Sequence, residues 1–324
     1  MPRWISDAEV LWKITVIDAP AEETFNVIYG YRCNYACEGC CVGSNHVKDT
    51  AQDPDLDITM AAIDRLPEII KIKDSDDYWQ RGMITLLGGE PMMYWHERIV
   101  PLARQIRKNF PRIRLNIFSN GHLLHKHRDE VIDFIDEISA NITISRHFVG
   151  DPQSPMGLKW QDNIAEFLAH DRMIKIHDDH YHVRGNWESN IHFHVGGDWF
   201  TWYKTDHDNR LKPHATGRPE QSIRYGCASG QHCSSLYENR LYKCSSLAML
   251  PGLLAAVGQK DDEDWRPYIN YPFVDVFGVD AKNLQQYRST YGVAITQCDM
   301  CNDQPRNVVR WQDRKQNSIL PVPA

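Results

Sequence analysis

The sequence lacks the features that direct a chain into a membrane, along a secretory route or onto nucleic acid. No run of 18 or more apolar residues occurs among its 324 residues, so we expect no membrane-spanning helix and no membrane partner. The first 23 residues contain no continuous apolar segment and no cleavage-site pattern, so we expect no signal peptide. Lys and Arg number 36 against 43 Asp and Glu and form no cluster, which disfavours a nucleic-acid partner.

Repeats, low-complexity tracts and long charge runs are absent as well. The composition is that of an ordinary globular protein, with 42% apolar residues, 24% charged residues and a formal net charge of −7. A chain of this length forms one large domain, or a large domain with a small one. We therefore expect a protein of the reducing cytoplasm, in which the nine cysteines are metal ligands or catalytic groups rather than disulfides.

Strand-like and helix-like segments alternate over the first two thirds of the chain. Apolar residues have the spacing of one helix face within residues 95–109, and again at Val131, Phe134, Ile135 and Ile138. Residues 59–73 also look helical despite Pro67. This alternation predicts βαβ units and a parallel sheet, whose ligands bind beyond the carboxyl ends of the strands. The predicted strands are residues 25–33, 83–91, 113–121, 140–147, 172–179 and 189–197.

The chain changes character after Gly197. Residues 198–226 are aromatic, polar and rich in Pro and Gly, which indicates a linker or a substrate-covering loop. Further on, LYENRLYKC consists of two short alternating runs about a Glu-Asn turn and predicts a β-hairpin. The apolar stretch LAMLPGLLAAVG predicts a short helix.

Four cysteines lie within nine positions of the stretch YRCNYACEGCCVG. Cys33, Cys37 and Cys40 are spaced C-x-x-x-C-x-x-C, which allows three thiolates on one loop to bind three irons of a cubane cluster. Cys41 directly follows Cys40, so we expect its side chain to point away from that cluster. With no fourth ligand, one iron is open to a substrate or cofactor. Zinc is the alternative, with His46 completing a Cys3His site.

Three motifs follow the first three predicted strands in order: CNYACEGC, GGEP and SNG. In this order and placement the chain resembles the radical S-adenosylmethionine (radical SAM) superfamily across residues 25–197. The resemblance implies an α/β fold, a partial (β/α)6 TIM-like barrel. It also implies that SAM chelates the open iron and is reductively cleaved to a 5′-deoxyadenosyl radical, which abstracts hydrogen from a substrate.

The resemblance implies a set of cofactor-binding residues. Glu90 would orient the SAM amine, and Gly88 and Gly89 would let the backbone approach the methionine moiety. For Asn120 and Ser145, ordinary turn capping is the alternative to SAM contact. The full set is Gly88, Gly89, Glu90, Pro91, Asn120 and Ser145.

One position departs from the family pattern. The family usually has an aromatic residue directly before the third cysteine, near the adenine of SAM. This chain has Gly39 there. We therefore expect Tyr35 or a later residue to serve the adenine.

A second group of cysteines lies in the C-terminal third. Cys298 and Cys301 form C-x-x-C, and Cys244 closes the predicted hairpin. The arrangement resembles the twitch domain, a shortened SPASM domain that binds one auxiliary 4Fe–4S cluster. A zinc ribbon is the alternative. The resemblance implies Cys227, Cys244, Cys298 and Cys301 as ligands of the auxiliary cluster, which makes two 4Fe–4S clusters in all.

Two residues near this group raise separate expectations. The twitch pattern has a glycine five positions before its second cysteine, and Asn239 stands there, which predicts a positive φ at Asn239. Cys233 is left over from the ligand set. It is a packed thiol, a substitute for Cys227, or a hydrogen donor to a substrate radical, as in a radical epimerase.

The resemblance implies a domain order. It gives an N-terminal extension at residues 1–24, the radical SAM partial barrel at 25–197, the linker or substrate loop at 198–226, and a small α+β twitch domain with the C-terminal tail at 227–324.

The whole arrangement is similar to the 2-deoxy-scyllo-inosamine dehydrogenase family. We therefore expect a radical SAM oxidoreductase acting on a small polyol, aminocyclitol or nucleotide sugar, by dehydrogenation or epimerisation, with a flavodoxin or ferredoxin-type reductant. Cys233 and Arg146 are its candidate catalytic residues; Arg146 would bind a substrate hydroxyl or carboxylate. The alternatives are a peptide-modifying radical SAM enzyme, disfavoured by the few residues before the first strand, and a non-enzymatic iron–sulfur or zinc protein.

Overall fold

A ten-stranded sheet forms the centre of the fold. The computed structural model describes residues 24–37, 40–47, 50–145, 153–194, 202–227, 233–271 and 273–303. The strands of the large sheet are β1 (Thr24–Gly30), β2 (Met83–Gly88), β3 (Arg114–Ser119), β4 (Ala140–Ser145), β5 (Met173–His177), β6 (His180–Val183), β7 (Asn186–His194), β10 (Cys233–Tyr237), β11 (Arg240–Tyr242) and β12 (Val274–Asp275). Two short strands, β8 (Lys204–Thr205) and β9 (Leu211–Lys212), pair separately.

The strand order is β12-β11-β10-β1-β2-β3-β4-β7-β6-β5. The six middle strands, from β10 to β7, are parallel, and antiparallel strands flank them on both sides. Among the described strands the sheet stays open and does not close into a barrel. This is the parallel-rich α/β architecture that the sequence predicts.

Helices follow most of the parallel strands. The α-helices are α1 (Ser44–Val47), α2 (Leu56–Ile69), α3 (Val100–Asn109), α4 (Arg128–Ile138), α5 (Pro155–Leu168), α6 (Pro219–Gln221), α7 (Ser245–Ala256), α8 (Arg266–Ile269) and α9 (Ala281–Arg288). Short 3₁₀ turns cover Tyr78–Gln80, Pro91–Met93, Leu124–His127 and Thr296–Met300, and π turns cover Trp95–Ile99 and Ser222–Gly226. No helix within the described ranges is both long and apolar enough to span a bilayer.

The two faces of the sheet differ in polarity. Alternate residues such as Val27, Leu86 and Ile142 pack with helix residues in one buried apolar core. The residues between them face the concave side, where a polar row crosses six strands in register. The row consists of Ser235, Asn26, Thr85, Asn116, Asn141 and Asn190, all of them buried, and several bond to one another.

Three expectations about the secondary structure meet different outcomes. The predicted hairpin is confirmed, because β10 and β11 pair antiparallel. The expectation of a positive φ at Asn239 is wrong: Glu238 adopts φ 54°, and the Asn239 amide instead donates to Asp275 at 2.8 Å. The segment at 172–179 does contain a strand, but β5 does not pair with β4. It pairs antiparallel with β6, which pairs antiparallel with β7, and β7 is the strand that pairs in parallel with β4. Sequence periodicity alone does not report which strands pair.

The carboxyl ends of β1 and β2 approach each other closely. Gly89 N–H donates to Gly30 O at 3.0 Å and Glu90 N–H donates to Arg32 O at 2.9 Å. A Cβ on Gly89 would lie 1.9 Å from Arg32 O. The glycine is therefore needed for contact with the chain's own backbone, a reason the motif alone does not reveal.

We predict that Gly89→Ala destabilises the protein by about 3 kcal/mol or more, because neither backbone can move away cheaply. Gly258→Ala is the control: its φ is +71° but no atom lies within 4 Å of the added Cβ, so we expect a loss of about 1 kcal/mol. Chemical unfolding under anaerobic conditions measures both. Equal losses would show that the Gly89 contact is not the constraint.

Candidate active site

The first cysteine group lies on the loop that follows β1. Tyr35 N–H donates to Cys33 Sγ at 3.4 Å, and Cys40 N–H donates to Cys37 O at 3.1 Å. All three thiols of the motif are partly buried, whereas Cys41 is exposed. None of the eight described cysteines forms a disulfide. The three thiols of the motif are thus less exposed than Cys41.

The electrostatics of these thiols oppose ionisation in the absence of a cation. Burial raises the pKa of Cys33 to about 11, and the negative charges of Glu90 and Cys40 contribute to the rise. Burial likewise raises the pKa of Cys37 to about 12, with further contributions from Cys40 and Cys33. Three neighbouring thiolates are therefore unstable unless a positively charged group binds them all. That is the requirement an iron–sulfur core meets.

The spacing of the cysteines bears on the choice between iron–sulfur and zinc. Sulfurs around a tetrahedral zinc, with Zn–S about 2.3 Å, would lie about 3.8 Å apart. Within the described part of the chain, no three cysteine sulfurs lie within 4.8 Å of one another. The side-chain groups whose possible ligand atoms do lie that close are His96–His127–Glu130 and Asp206–His207–Asp208. His46 does not join the thiols in such a group, and its ring packs against Tyr203. The arrangement favours a larger core over one zinc ion.

Two aromatic residues hold the cysteine loop from behind. Trp202 Nε1–H donates to Cys41 O at 2.9 Å, and Tyr203 O–H donates to Cys40 O at 3.0 Å. Both side chains are fully buried. The sequence predicted only that their segment is a linker or a substrate-covering loop. Nothing in a non-periodic segment indicates that its side chains bond to a loop some 160 residues earlier.

Glu90 joins the ends of β2 and β3. Its carboxylate accepts from Ser119 Oγ and from Asn120 N–H, both at 2.8 Å, and from Met92 N–H at 3.3 Å. A carboxylate offers about four acceptor positions, so one remains for a ligand. Because Glu90 is almost completely buried, its pKa is raised to about 7. The residue therefore suits a partner that donates hydrogen bonds, such as an amine.

Asn120 connects this carboxylate to the cysteine loop. Its amide nitrogen donates to Asn34 Oδ1 at 2.7 Å and lies 3.9 Å from Cys33 Sγ, while its oxygen accepts from His122 N–H at 3.0 Å. Gly121 follows with φ +78°, which the tight turn requires. The side chain thus caps its own turn and anchors the loop, in agreement with the capping interpretation.

The other expected positions are placed as follows. Pro91 is buried and begins a 3₁₀ turn, and Ser145 is buried at the carboxyl end of β4. Tyr35 O–H lies 3.1 Å from His122 Nδ1, beside the cysteine loop. Arg146 and Gly39 lie outside the described residues. The structure therefore unites Cys33, Glu90 and Asn120 at one edge of the sheet.

Comparison with known proteins agrees with the placement of Cys33, Glu90 and Asn120 at one edge of the sheet. Residues 24–164, which contain the cysteine loop, Glu90 and Asn120, match the family described as 4Fe-4S single cluster domain. The match covers less than half of the chain, and the cofactor it supports is a 4Fe–4S cluster. Among curated proteins, none matches the sequence.

Several solved structures are similar in outline. BtrN in complex with AdoMet and 2-DOIA has 12% identity and a TM-score of 0.45, covering 89% of this chain and 98% of its own. The protein anSMEcpe with bound AdoMet has 10% identity and a TM-score of 0.42, covering 86% and 82%. Streptococcus suis SuiB bound to precursor peptide SuiA has 12% identity and a TM-score of 0.32, covering 80% and 69%. Likenesses this distant do not assign a substrate.

The second cysteine group gathers where three segments of the C-terminal part meet. Cys244 precedes α7, Cys298 and Cys301 flank a 3₁₀ turn, and Cys227 follows a π turn. Ser222 Oγ donates to Cys301 O at 3.0 Å, which ties the Cys227 segment to the C-x-x-C loop. Cys301 and Cys244 belong to the same buried cluster.

This neighbourhood also contains a buried cation. Lys243 precedes Cys244, is 8% exposed, and donates from its ammonium to Thr290 O and Val293 O. No carboxylate of the described residues forms a salt bridge with it. A buried ammonium is costly without a compensating negative charge. An anionic four-cysteine cluster beside Cys244 would supply that charge, so the residues present fit an auxiliary cluster.

Cys233 lies far from the first group. It begins β10 in register with Thr24, the first residue of β1, whereas the cysteine loop follows the last residue of β1. Six residues at about 3.3 Å each separate these levels by roughly 20 Å along the strand. The backbone thus does not bring Cys233 to the edge that holds Cys33 and Glu90.

We predict that Cys33→Ala, Cys37→Ala and Cys40→Ala each lose about four irons per chain, the content of one cubane cluster. Cys41→Ala is the matched control and retains them, because Cys41 lies outside the C-x-x-x-C-x-x-C spacing and is the exposed cysteine of the loop. Anaerobic iron and sulfide analysis measures the difference. Loss of iron in the Cys41 variant alone would contradict the assignment.

We also predict a pH dependence of SAM binding that comes from Glu90. With the pKa of this carboxyl raised to about 7, the accepting, ionised form is lost as the pH falls. The affinity for SAM should drop about tenfold between pH 8 and pH 6 through this group. Glu90→Gln should bind SAM more weakly at pH 8 and lose this part of the dependence. Equilibrium dialysis of both proteins measures it, and identical pH profiles would refute the role of Glu90.

Proposed function

We propose that this chain is a radical SAM enzyme and a dehydrogenase of a small hydroxylated substrate, of the polyol, aminocyclitol or nucleotide-sugar class. Cys33, Cys37 and Cys40 hold the SAM-binding cluster, and Cys227, Cys244, Cys298 and Cys301 hold the auxiliary cluster. A flavodoxin or ferredoxin-type protein supplies the electron. The overall change converts SAM and a secondary alcohol into methionine, 5′-deoxyadenosine, a ketone and a proton, which balances atoms and electrons.

The observation that carries the proposal is the union of two cysteine sites by one sheet. β10 pairs in parallel with β1, and the hairpin formed by β10 and β11 leads directly to Cys244. The second site is thus rigidly attached to the strand that leads to the first. Ligation of an auxiliary cluster by four cysteines leaves no iron for substrate, which suits an electron acceptor better than a binding site.

The chain's own residues bind and orient the cofactors. When bound, the cluster and SAM together supply a 5′-deoxyadenosyl radical able to take hydrogen from an unactivated C–H bond. Glu90 uses its remaining acceptor position to orient the SAM amine. Asn120 fixes the cysteine loop against β3, and Gly89 fixes it against β2. Trp202 and Tyr203 exclude water from behind the loop.

The concave face of the sheet supports a polar substrate. The row that includes Asn26, Asn116 and Asn190 gives this side amide and hydroxyl groups rather than an apolar wall. Thr143 Oγ1 donates to Asn116 Oδ1 at 2.8 Å, so part of the row is already satisfied internally. A row of amide and hydroxyl side chains is compatible with a substrate that carries hydroxyl groups.

The position of Cys233 favours dehydrogenation over epimerisation. A radical epimerase needs a hydrogen donor on the far side of the substrate carbon. Cys233 begins its strand at the amino-terminal level of β1, roughly 20 Å along the strand from the cysteine loop. Because the backbone does not bring Cys233 to the cysteine loop, we expect loss of an electron and a proton instead.

The test uses the anaerobically prepared protein with SAM, reductant and a panel of polyols, aminocyclitols and nucleotide sugars deuterated at the carbinol carbon. We expect one deuterium in 5′-deoxyadenosine for each ketone formed. Solvent hydrogen at the substrate carbon with inverted configuration would show an epimerase. SAM cleavage stimulated only by peptides would overturn the substrate class.

A further inference from the structure

Tyr271 carries a hydroxyl whose proton has no acceptor among the described residues. The side chain is 6% exposed, and the oxygen is buried with no hydrogen-bond partner. Its ring stacks on Tyr242, with centroids 6.0 Å apart and an interplanar angle of 25°. A buried hydroxyl without a partner costs free energy. Because the buried Tyr271 hydroxyl is unfavourable without a partner, we expect a ligand that accepts its proton.

The surroundings of this hydroxyl point to sulfur. Tyr271 belongs to the buried cluster that contains Cys301 and packs against Cys244. Burial raises its pKa, and negative charge on Cys244 and Cys298 raises it further, so both thiols lie near the hydroxyl. Thr290 and the backbone N–H of Lys243 lower the pKa but do not reach hydrogen-bond geometry.

Thr290 links the hydroxyl to the Lys243 ammonium, because its side chain acts on Tyr271 and its carbonyl oxygen accepts from Lys243. Lys243 directly precedes Cys244 and donates only to the backbone oxygens of Thr290 and Val293. The Tyr271 hydroxyl proton and the Lys243 ammonium therefore both carry positive charge near the position at which the proposed cluster would carry negative charge. Hydrogen bonds to the sulfurs are among the factors that set the potential of an iron–sulfur cluster.

We propose that Tyr271 is a positioning residue that donates an O–H···S hydrogen bond to a sulfur of the auxiliary cluster and raises its reduction potential. This rests on the auxiliary cluster of the proposed function. The bond strengthens when the cluster gains an electron, because its sulfurs then carry more negative charge. A higher potential makes the cluster a better acceptor.

The test is an EPR-monitored redox titration of the protein with both clusters loaded. Tyr271→Phe removes the donor and keeps the ring. We expect the reduction potential of the auxiliary cluster to become more negative. The equilibrium constant for its reduction should fall at least threefold, which corresponds to about 28 mV at 59 mV per tenfold change. Tyr242→Phe is the matched control, since its ring stacks on Tyr271, and it should leave the potential unchanged.

A second variant keeps the test decisive if the Phe variant loses its cluster. Tyr271→3-fluorotyrosine retains the hydroxyl and makes it a stronger donor, so the potential should rise. An unchanged potential in a fully loaded Tyr271 variant overturns the inference and leaves the proposed function intact. Wild-type protein that holds only about four irons overturns the auxiliary cluster itself.

Discussion

The fold depends on holding three mutually repelling thiols in one partly buried loop. Burial and neighbouring thiolates oppose negative charge on Cys33 and Cys37, and the pKa of both thiols is raised. Backbone bonds from Gly89 and Glu90 fix the loop in front, and Trp202 and Tyr203 fix it from behind. These bonds reduce the conformational cost of binding a cluster.

The same scaffold relates the two cysteine sites. β1 leads into the first site at its carboxyl end and pairs with β10, from which the hairpin continues to the second site. Rigid attachment through a sheet fixes the separation of the two sites better than a flexible linker would. A buried cation at Lys243 and an unpaired hydroxyl at Tyr271 then prepare the second site for negative charge.

The signals that predict the first site are local. Cysteine spacing, GGEP and SNG each follow a strand, and parallel strands place their carboxyl ends at one edge. Features that depend on distant contacts were missed: the bonds of Trp202 and Tyr203, the clash that requires Gly89, and the pairing of β5. The turn expected at Asn239 shifted to Glu238, because a hairpin's register is set by both strands rather than by one residue.

The central claim is that three cysteines leave one iron open and that SAM occupies it. Electron–nuclear double resonance of the reduced cluster with SAM labelled by ¹⁵N at the amine and ¹⁷O at the carboxylate tests this directly. The account predicts hyperfine coupling to both labels in the wild-type protein. A reduced cluster that shows no coupling to either label under saturating SAM would contradict it.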